Sequence, residues 1–215
     1  LTQVLVGVVL IIAMVTVPLM ANTVMGKSPF TGALWLLRLT GIIPLGAVVG
    51  GLLVNRLGPS PLTVTGLGLM AIGMFLASGW ELGVADPELT VHLLISGFGF
   101  GLVIAPITVH VLDSAGEDYR GTAASLVVVS RMMGMTLGLA ALSAWGVQHF
   151  QVLTAGLEFP LPFPGEAAGV FEIRAAEYSA NVNEAGLELF QRFFLTASII
   201  SLAAIAPALG MRRGR

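Results

Sequence analysis

The feature that most constrains this chain is its succession of long stretches without a charged side chain. No charge occurs before Lys27, between Glu88 and Asp113, or between Arg131 and Glu158. A helix needs about 20 apolar residues to cross a hydrocarbon layer of about 30 Å. On that measure the sequence reads as six membrane-crossing helices, over 1–24, 31–55, 61–80, 90–112, 121–145 and 193–209. Apolar residues make up 56% of the chain and charged residues only 10%, which places it outside the soluble globular class. The expected fold is an all-α membrane protein, a six-transmembrane-helix bundle embedded in the lipid bilayer.

The same composition excludes several functions. A net charge of −2 leaves no basic surface for nucleic acid. The absence of Cys removes disulfides and thiolate metal sites, and no cofactor or metal centre is expected. A membrane enzyme would need facing carboxylates, histidines or metal ligands within the spans, and the spans supply no such cluster. The chain starts at Leu1 rather than Met and is apolar from its first turn, so a preceding segment is expected. A signal peptide is a poor alternative, because the uncharged run has no basic start and is too long for an h-region.

Lys and Arg flanking the spans give an orientation, since they favour the cytoplasmic side. Arg56, Arg120, Arg212, Arg213 and Arg215 fall on one side, whereas Lys27, Arg174 and Arg192 fall on the other. The first group is expected in the cytoplasm, with both chain ends, in a multi-pass protein of the cell membrane. Gly46 and Gly50, Gly97 and Gly101, and Gly134 and Gly138 are small-xxx-small pairs that allow helices to approach closely in lipid. Gly97, Gly99 and Gly101 are not a phosphate loop, because they lie inside an apolar span without a preceding strand or a Lys. Pro18, Pro44 and Pro106 are expected to bend the first, second and fourth spans.

Two arginines interrupt the apolar runs. Arg38 stands seventeen residues from Asn55, about 25 Å along a helix, where it can snorkel to the outer interface. Arg131 is eleven residues from Arg120, about 16 Å deep and near the midplane. A charge there costs about 2.5–3.5 kcal/mol on insertion scales and requires a partner or a use. Arg131, Gly134, Gly138, Leu142 and Trp145 share one helical face, yet no span contains an Asp or Glu. His92 and His110, near opposite ends of the fourth span, are candidate proton-relay groups because imidazole changes charge near neutral pH. The neighbouring Met132, Met133 and Met135 are expected to fill packing gaps.

VMGKSPFTGALWLLRLTGIIPLGAVVGGLLVNRLG, residues 24–58, resembles the seventh to ninth helix region of major facilitator superfamily transporters. GFGFGLVIAPITVHVLDSAGEDYRGTAASLVVVSRMMGMTLGLA, residues 97–140, extends the likeness, which is strongest to the fourteen-span drug:proton antiporter branch. The resemblance implies that residues 1–215 are the C-terminal six-helix half of a transporter whose N-terminal half lies elsewhere. Substrates of such a transporter would be small amphiphiles or lipids, and protons would drive it. One motif departs from the family pattern: Gly51, Asn55, Arg56 and Gly58 occupy the cytoplasmic loop, with Asn where an Asp is usual and no basic tail. In the family the fifth span borders the other half, so the resemblance makes Arg131, with Arg38, an interdomain charge or coupling residue.

The link 146–190 is too long for a simple turn. EFPLPFPGE, residues 158–166, breaks any helix, while Val147, Phe150, Leu153 and Leu157 continue the fifth helical stripe. Asn183 is suited to cap a helix carrying Leu187, Phe190 and Phe194. An external helical hairpin is therefore expected, with Val147 and Phe150 approaching Leu187 and Phe190. Some lipid exporters of the superfamily are similar in this respect. The readings are proton-coupled efflux of drugs or other amphiphiles, export of a lipid or glycolipid, and a non-transporting membrane subunit or inactive remnant.

Overall fold

The computed structural model of the chain describes residues 1–163 and 168–211. Its first span is a single helix, α1 (Thr2–Thr23), and its second is split into α2 (Pro29–Gly41) and α3 (Ile43–Leu57). The third is α4 (Pro59–Ala77) and the fourth α5 (Asp86–Ala115). The fifth, α6 (Arg120–Thr154), follows a short 3₁₀ turn. The sixth comprises α7 (Ala168–Ala203) and a short α8 (Ile205–Leu209). Six helical segments are thus long and apolar enough to cross a membrane, and the described residues contain no strand. The all-α, six-span expectation holds.

Proline acts locally in two ways. Pro18 and Pro106 are accommodated inside continuous helices. The chain breaks at Ile42, two residues before Pro44, and at Ala204, three residues before Pro207. The proline ring removes one backbone donor from the helical ladder, so the hydrogen-bond pattern is interrupted there while Ile42 and Ala204 keep helical angles. Hydroxyls in the spans meet the apolar surroundings by bonding to their own helix: Thr16 donates to the Ile12 carbonyl at 2.7 Å, and Ser201 to that of Ala197 at 2.8 Å. Three side chains instead tie the last helices to the third span and the turn after it. Ser198 donates to the Ala71 carbonyl, Ser60 to that of Ala208, and Gln191 to that of Trp80.

Packing runs in the order α3, α5, α4, α7, α1, α6, with α5 wedged between α3 and α4 and with α1 between α6 and α7. The largest apolar core lies among α1, α4, α5 and α7 and includes Val9, Met20, Met70, Leu93 and Phe194. Two crossings are set by glycine. At the first, a Cβ on Gly134 would meet the Val4 carbonyl, and one on Gly7 would meet that of Arg131, so α1 and α6 touch backbone to backbone. At the second, Gly97 and Gly101 lie against the carbonyls of Leu39 and Ile43, with Gly46 and Gly50 facing Phe98 and Leu102 in return. Gly138 sits against Val8 and Ile11. All six paired glycines are buried at helix contacts.

The α6–α7 region departs from its sequence reading. Helix α6 runs nine residues past the predicted end at 145, and α7 begins well before residue 183, so Asn183 is inside a helix and caps nothing. At 1.5 Å per residue, α6 is about 52 Å long, well beyond a hydrocarbon layer of about 30 Å. Phe150, Leu153 and Leu187 pack on the core that contains Phe190. Val147 does not join them and is 60% exposed, because Gly146 is the residue turned toward α7, against Phe193. Residues 164–166 of the proline-rich segment and the arginines at 212, 213 and 215 lie outside the described residues.

The α1–α6 crossing generates a stability prediction. Gly134→Ala places a methyl group on the Val4 carbonyl and should destabilise the bundle by about 1–3 kcal/mol, read as a lower melting temperature in detergent. Gly121→Ala on the same helix meets open space and should be neutral. Equal effects would show that the crossing does not limit the packing.

Candidate transport site

The six spans are unequally buried. Over an 18-residue apolar stretch of each, the second and the fifth have 22% of residues buried against the rest of the bundle, compared with 39–50% in the other four. Their open faces are stripes at helical spacing: Leu45, Val48 and Leu52 on α3, and Leu126, Val129, Met133 and Leu137 on α6. Met132 and Met133 are 60% and 56% exposed, so they do not fill gaps in this bundle. The packing need on α6 is met on the opposite side by Gly134 and Gly138. With Val129, Thr136 and Leu137 these methionines form a shallow apolar depression of about 360 Å³.

Arg131 is half-buried on α6, one turn from Gly134, and its carbonyl touches Gly7 of α1. It makes no hydrogen bond or ion pair with any described residue. Arg38 behaves differently. Its Nη1 donates to the Asp86 carboxylate at 2.7 Å and to the Thr90 hydroxyl at 2.8 Å, joining α2 to the first turn of α5. Asp86 opens α5 and lies outside the apolar stretch 90–112. Arg38 therefore serves a contact within this chain.

The two histidines of α5 are separate. His92 is buried, and its Nδ1 accepts a hydrogen bond of 3.0 Å from the indole of Trp80, with the two rings stacked. That bond requires an unprotonated Nδ1. Trp80 also packs edge-on against Trp35 and Phe194, so His92 completes an aromatic cluster at the Lys27 end of the bundle. His110 is half-buried near the Arg120 end, eighteen residues or about 27 Å further along α5. No direct transfer joins them. Among the described residues there is no group of His, Asp or Glu able to hold a metal ion.

The loop residues Gly51, Asn55, Arg56 and Gly58 end α3 and turn into α4. Gly58 has φ +88°, a left-handed conformation that suits glycine, and its amide closes the helix on the Val54 carbonyl at 2.9 Å. Asn55 and Arg56 are exposed. Sequence reasoning missed two residues altogether. Gly7 has no glycine partner at the i+4 position, and Gln3, a buried uncharged amide, forms no motif.

A bundle of six apolar helices with unpartnered faces on two of them, and without catalytic or metal-binding clusters among its described residues, is the architecture of a multi-pass membrane protein. The family model of the Major Facilitator Superfamily matches residues 1–139. The chain belongs to that superfamily, whose members are transporters rather than enzymes. It is 34% identical to a triacylglyceride transporter of Mycolicibacterium hassiacum over 93% of this chain and 40% of that protein. The corresponding values are 34%, 95% and 38% for a triacylglyceride transporter of Mycolicibacterium smegmatis, and 33%, 90% and 39% for one of Mycobacterium tuberculosis. The chain thus spans about two fifths of the length of these relatives.

The Trp80–His92 bond is testable. Trp80→Phe leaves a buried Nδ1 without its donor and should cost about 1–3 kcal/mol in addition to the lost packing. Combining it with His92→Phe should recover part of that loss in a double-mutant cycle of melting temperatures. Strict additivity would mean that the bond contributes nothing.

Proposed function

We propose that this chain is the C-terminal six-helix half of a lipid exporter of the superfamily, moving a neutral acylglycerol by alternating access. The observation that carries this reading is the likeness to triacylglyceride transporters over more than nine tenths of the chain. A match of that extent reaches beyond residue 139 into the long α6–α7 hairpin, the part that a minimal six-span bundle does not need. An almost wholly apolar crevice of about 320 Å³ between α1, α6 and α7, lined by Val8, Ile12, Trp145 and Phe193, is suited to hydrocarbon rather than to a polar solute. These features favour lipid export over the drug-efflux reading drawn from the sequence.

In this reading the open faces of α3 and α6 meet the N-terminal half, and Arg131 pairs there with an acid. Proton binding to that acid weakens the pair and lets the halves rock about the central cavity. Arg131 has no polar partner among the described residues, and an unpartnered arginine near the midplane is expensive, so a partner outside this chain accounts for its presence. In proteoliposomes containing the full-length protein, a fluorescent triacylglycerol should be exported in response to a proton gradient. Arg131→Met should abolish that coupling with folding and expression intact. Normal gradient-driven export by the Met variant would refute the coupling role, and a wild-type protein that moves no acylglycerol would refute the substrate.

The orientation proposed is with the Arg56 and Arg120 end in the cytoplasm, in the cell membrane, with both chain ends on that side. The chain has no native Cys, so single introduced cysteines report cleanly. An impermeant maleimide added outside intact cells should label Ser28→Cys and Asp86→Cys but not Ser60→Cys or Gly116→Cys. The inverse pattern would reverse the orientation.

A further inference from the structure

Helices α6 and α7 both pack chiefly on α1 and only sparingly on each other. Gly138 draws α6 onto Val8 and Ile11 of α1, and eight residues further on Gly146 meets the ring of Phe193 on α7. Between these two contacts Ala141, Leu142 and Trp145 stand off from Thr196 and Ile200, leaving the apolar crevice of about 320 Å³ with α1 as its floor. Its walls are interior to long helices, since Val8 and Ile12 come six and ten residues after the start of α1. Leu142 stands nine residues, or about 180°, around α6 from Met133, so the crevice lies away from the open face assigned to the N-terminal half. Ala141 and Thr196 are exposed and form its mouth, which opens toward the bilayer.

The mouth carries no free charge. Thr196 donates its hydroxyl to the Arg192 carbonyl at 2.8 Å. Arg192, one turn nearer the Lys27 end on the same face, donates through Nε and Nη2 to one carboxylate oxygen of Glu188, at 3.1 and 2.6 Å. Among the described residues no Asp, Glu, Lys or Arg lines the crevice itself. A phosphate-bearing head group at the mouth would meet a carboxylate beside the arginine rather than an unengaged cation. Trp145 closes the upper end, edge-on against Phe193 at 5.3 Å. It stands fourteen residues, or about 21 Å, beyond Arg131 along α6, at the level where hydrocarbon gives way to head groups. Its indole N–H has no partner among the described residues.

We infer that this crevice is a lateral site for one acyl chain of the exported neutral lipid, entered from the leaflet at the Lys27 end through the gap between α6 and α7. The inference rests on the lipid-exporter reading and adds where a chain of that lipid lies. Water finds nothing to bond to along such a lining, whereas a hydrocarbon chain supplies the dispersion contacts that the lining lacks. The chain rests on Val8 and Ile12 with Leu142 and Ile200 at its sides, and its terminal carbons point toward Gly138. The ester stays at the level of Trp145, whose indole N–H donates to the ester carbonyl.

The test is photolabelling of the full-length protein in vesicles with a triacylglycerol carrying a diazirine midway along one acyl chain. Label should fall in peptides containing residues 141–145 and 193–200. Ala141→Phe and Thr196→Phe fill the crevice from opposite walls, and each should cut the label roughly ten-fold at an unaltered melting temperature. Loss of label in either folded variant supports the site. Equal labelling of both, or label confined elsewhere, would overturn it while acylglycerol transport by the wild type left the exporter reading standing. A phosphatidylglycerol probe with the same chain should label these peptides weakly, and equal labelling would overturn the assignment to a neutral lipid. Glu188→Gln, which releases Arg192, should raise the phosphatidylglycerol label, and an unchanged label would overturn the part given to the paired mouth. A full-length structure with protein side chains filling the crevice would overturn the site. A wild type that moves no acylglycerol would overturn the exporter reading, and with it the assignment of the chain to an exported lipid.

Discussion

Helices in a bilayer gain no hydrophobic reward for touching each other, since lipid tails are as apolar as leucine. What holds this bundle is close backbone approach. Where Gly134 meets Val4 and Gly7 meets Arg131, no side chain separates the helices, and dispersion contacts accumulate along both backbones. The Gly97, Gly101 and Gly46 crossing repeats this between α3 and α5. The two crossings attach the second and fifth spans each by one narrow glycine side, which is why both spans have so much uncovered surface. An interface and an open face on the same helix are thus two results of one pattern.

That division organises the chemistry. Polar groups that are satisfied within the chain gather at the Lys27 end, where Trp80, His92, Gln191, Arg38 and Asp86 bond to one another or to nearby backbone. Among the described residues, Arg131 and Gln3 near the Gly7–Gly134 crossing lack polar partners, as does the buried Nε2 of His149 further along α6 beside Trp145.

The six spans were legible because a lipid-crossing helix writes its length as an uninterrupted apolar run. The glycine pairs were legible because close approach repeats at i+4, whereas the lone Gly7 left no such trace. The hairpin was underestimated for a physical reason. Residues such as Glu172, Arg174 and Glu177 are good helix formers but are charged, so a hydropathy reading sees a loop where propensity continues the helix. The partner of Arg38 was missed because Asp86, 48 positions away, is brought near only by the packing of α2 on α5. Gln3 carries no charge and forms no motif. Its meaning depends wholly on burial, which only the fold reveals.

The length of α6 has a mechanical consequence. A continuous helix of 35 residues without internal proline is a stiff rod, held near its middle where Gly134 presses on α1. A rod pivoted there acts as a lever: a small tilt at the midplane becomes a proportionally larger sideways displacement at Thr154. The packed partner, α7, carries that displacement with it through Phe150 and Phe190. Any tilt of the rod at the level of Arg131 is therefore magnified at a tip twenty-three residues, or about 35 Å, further along it.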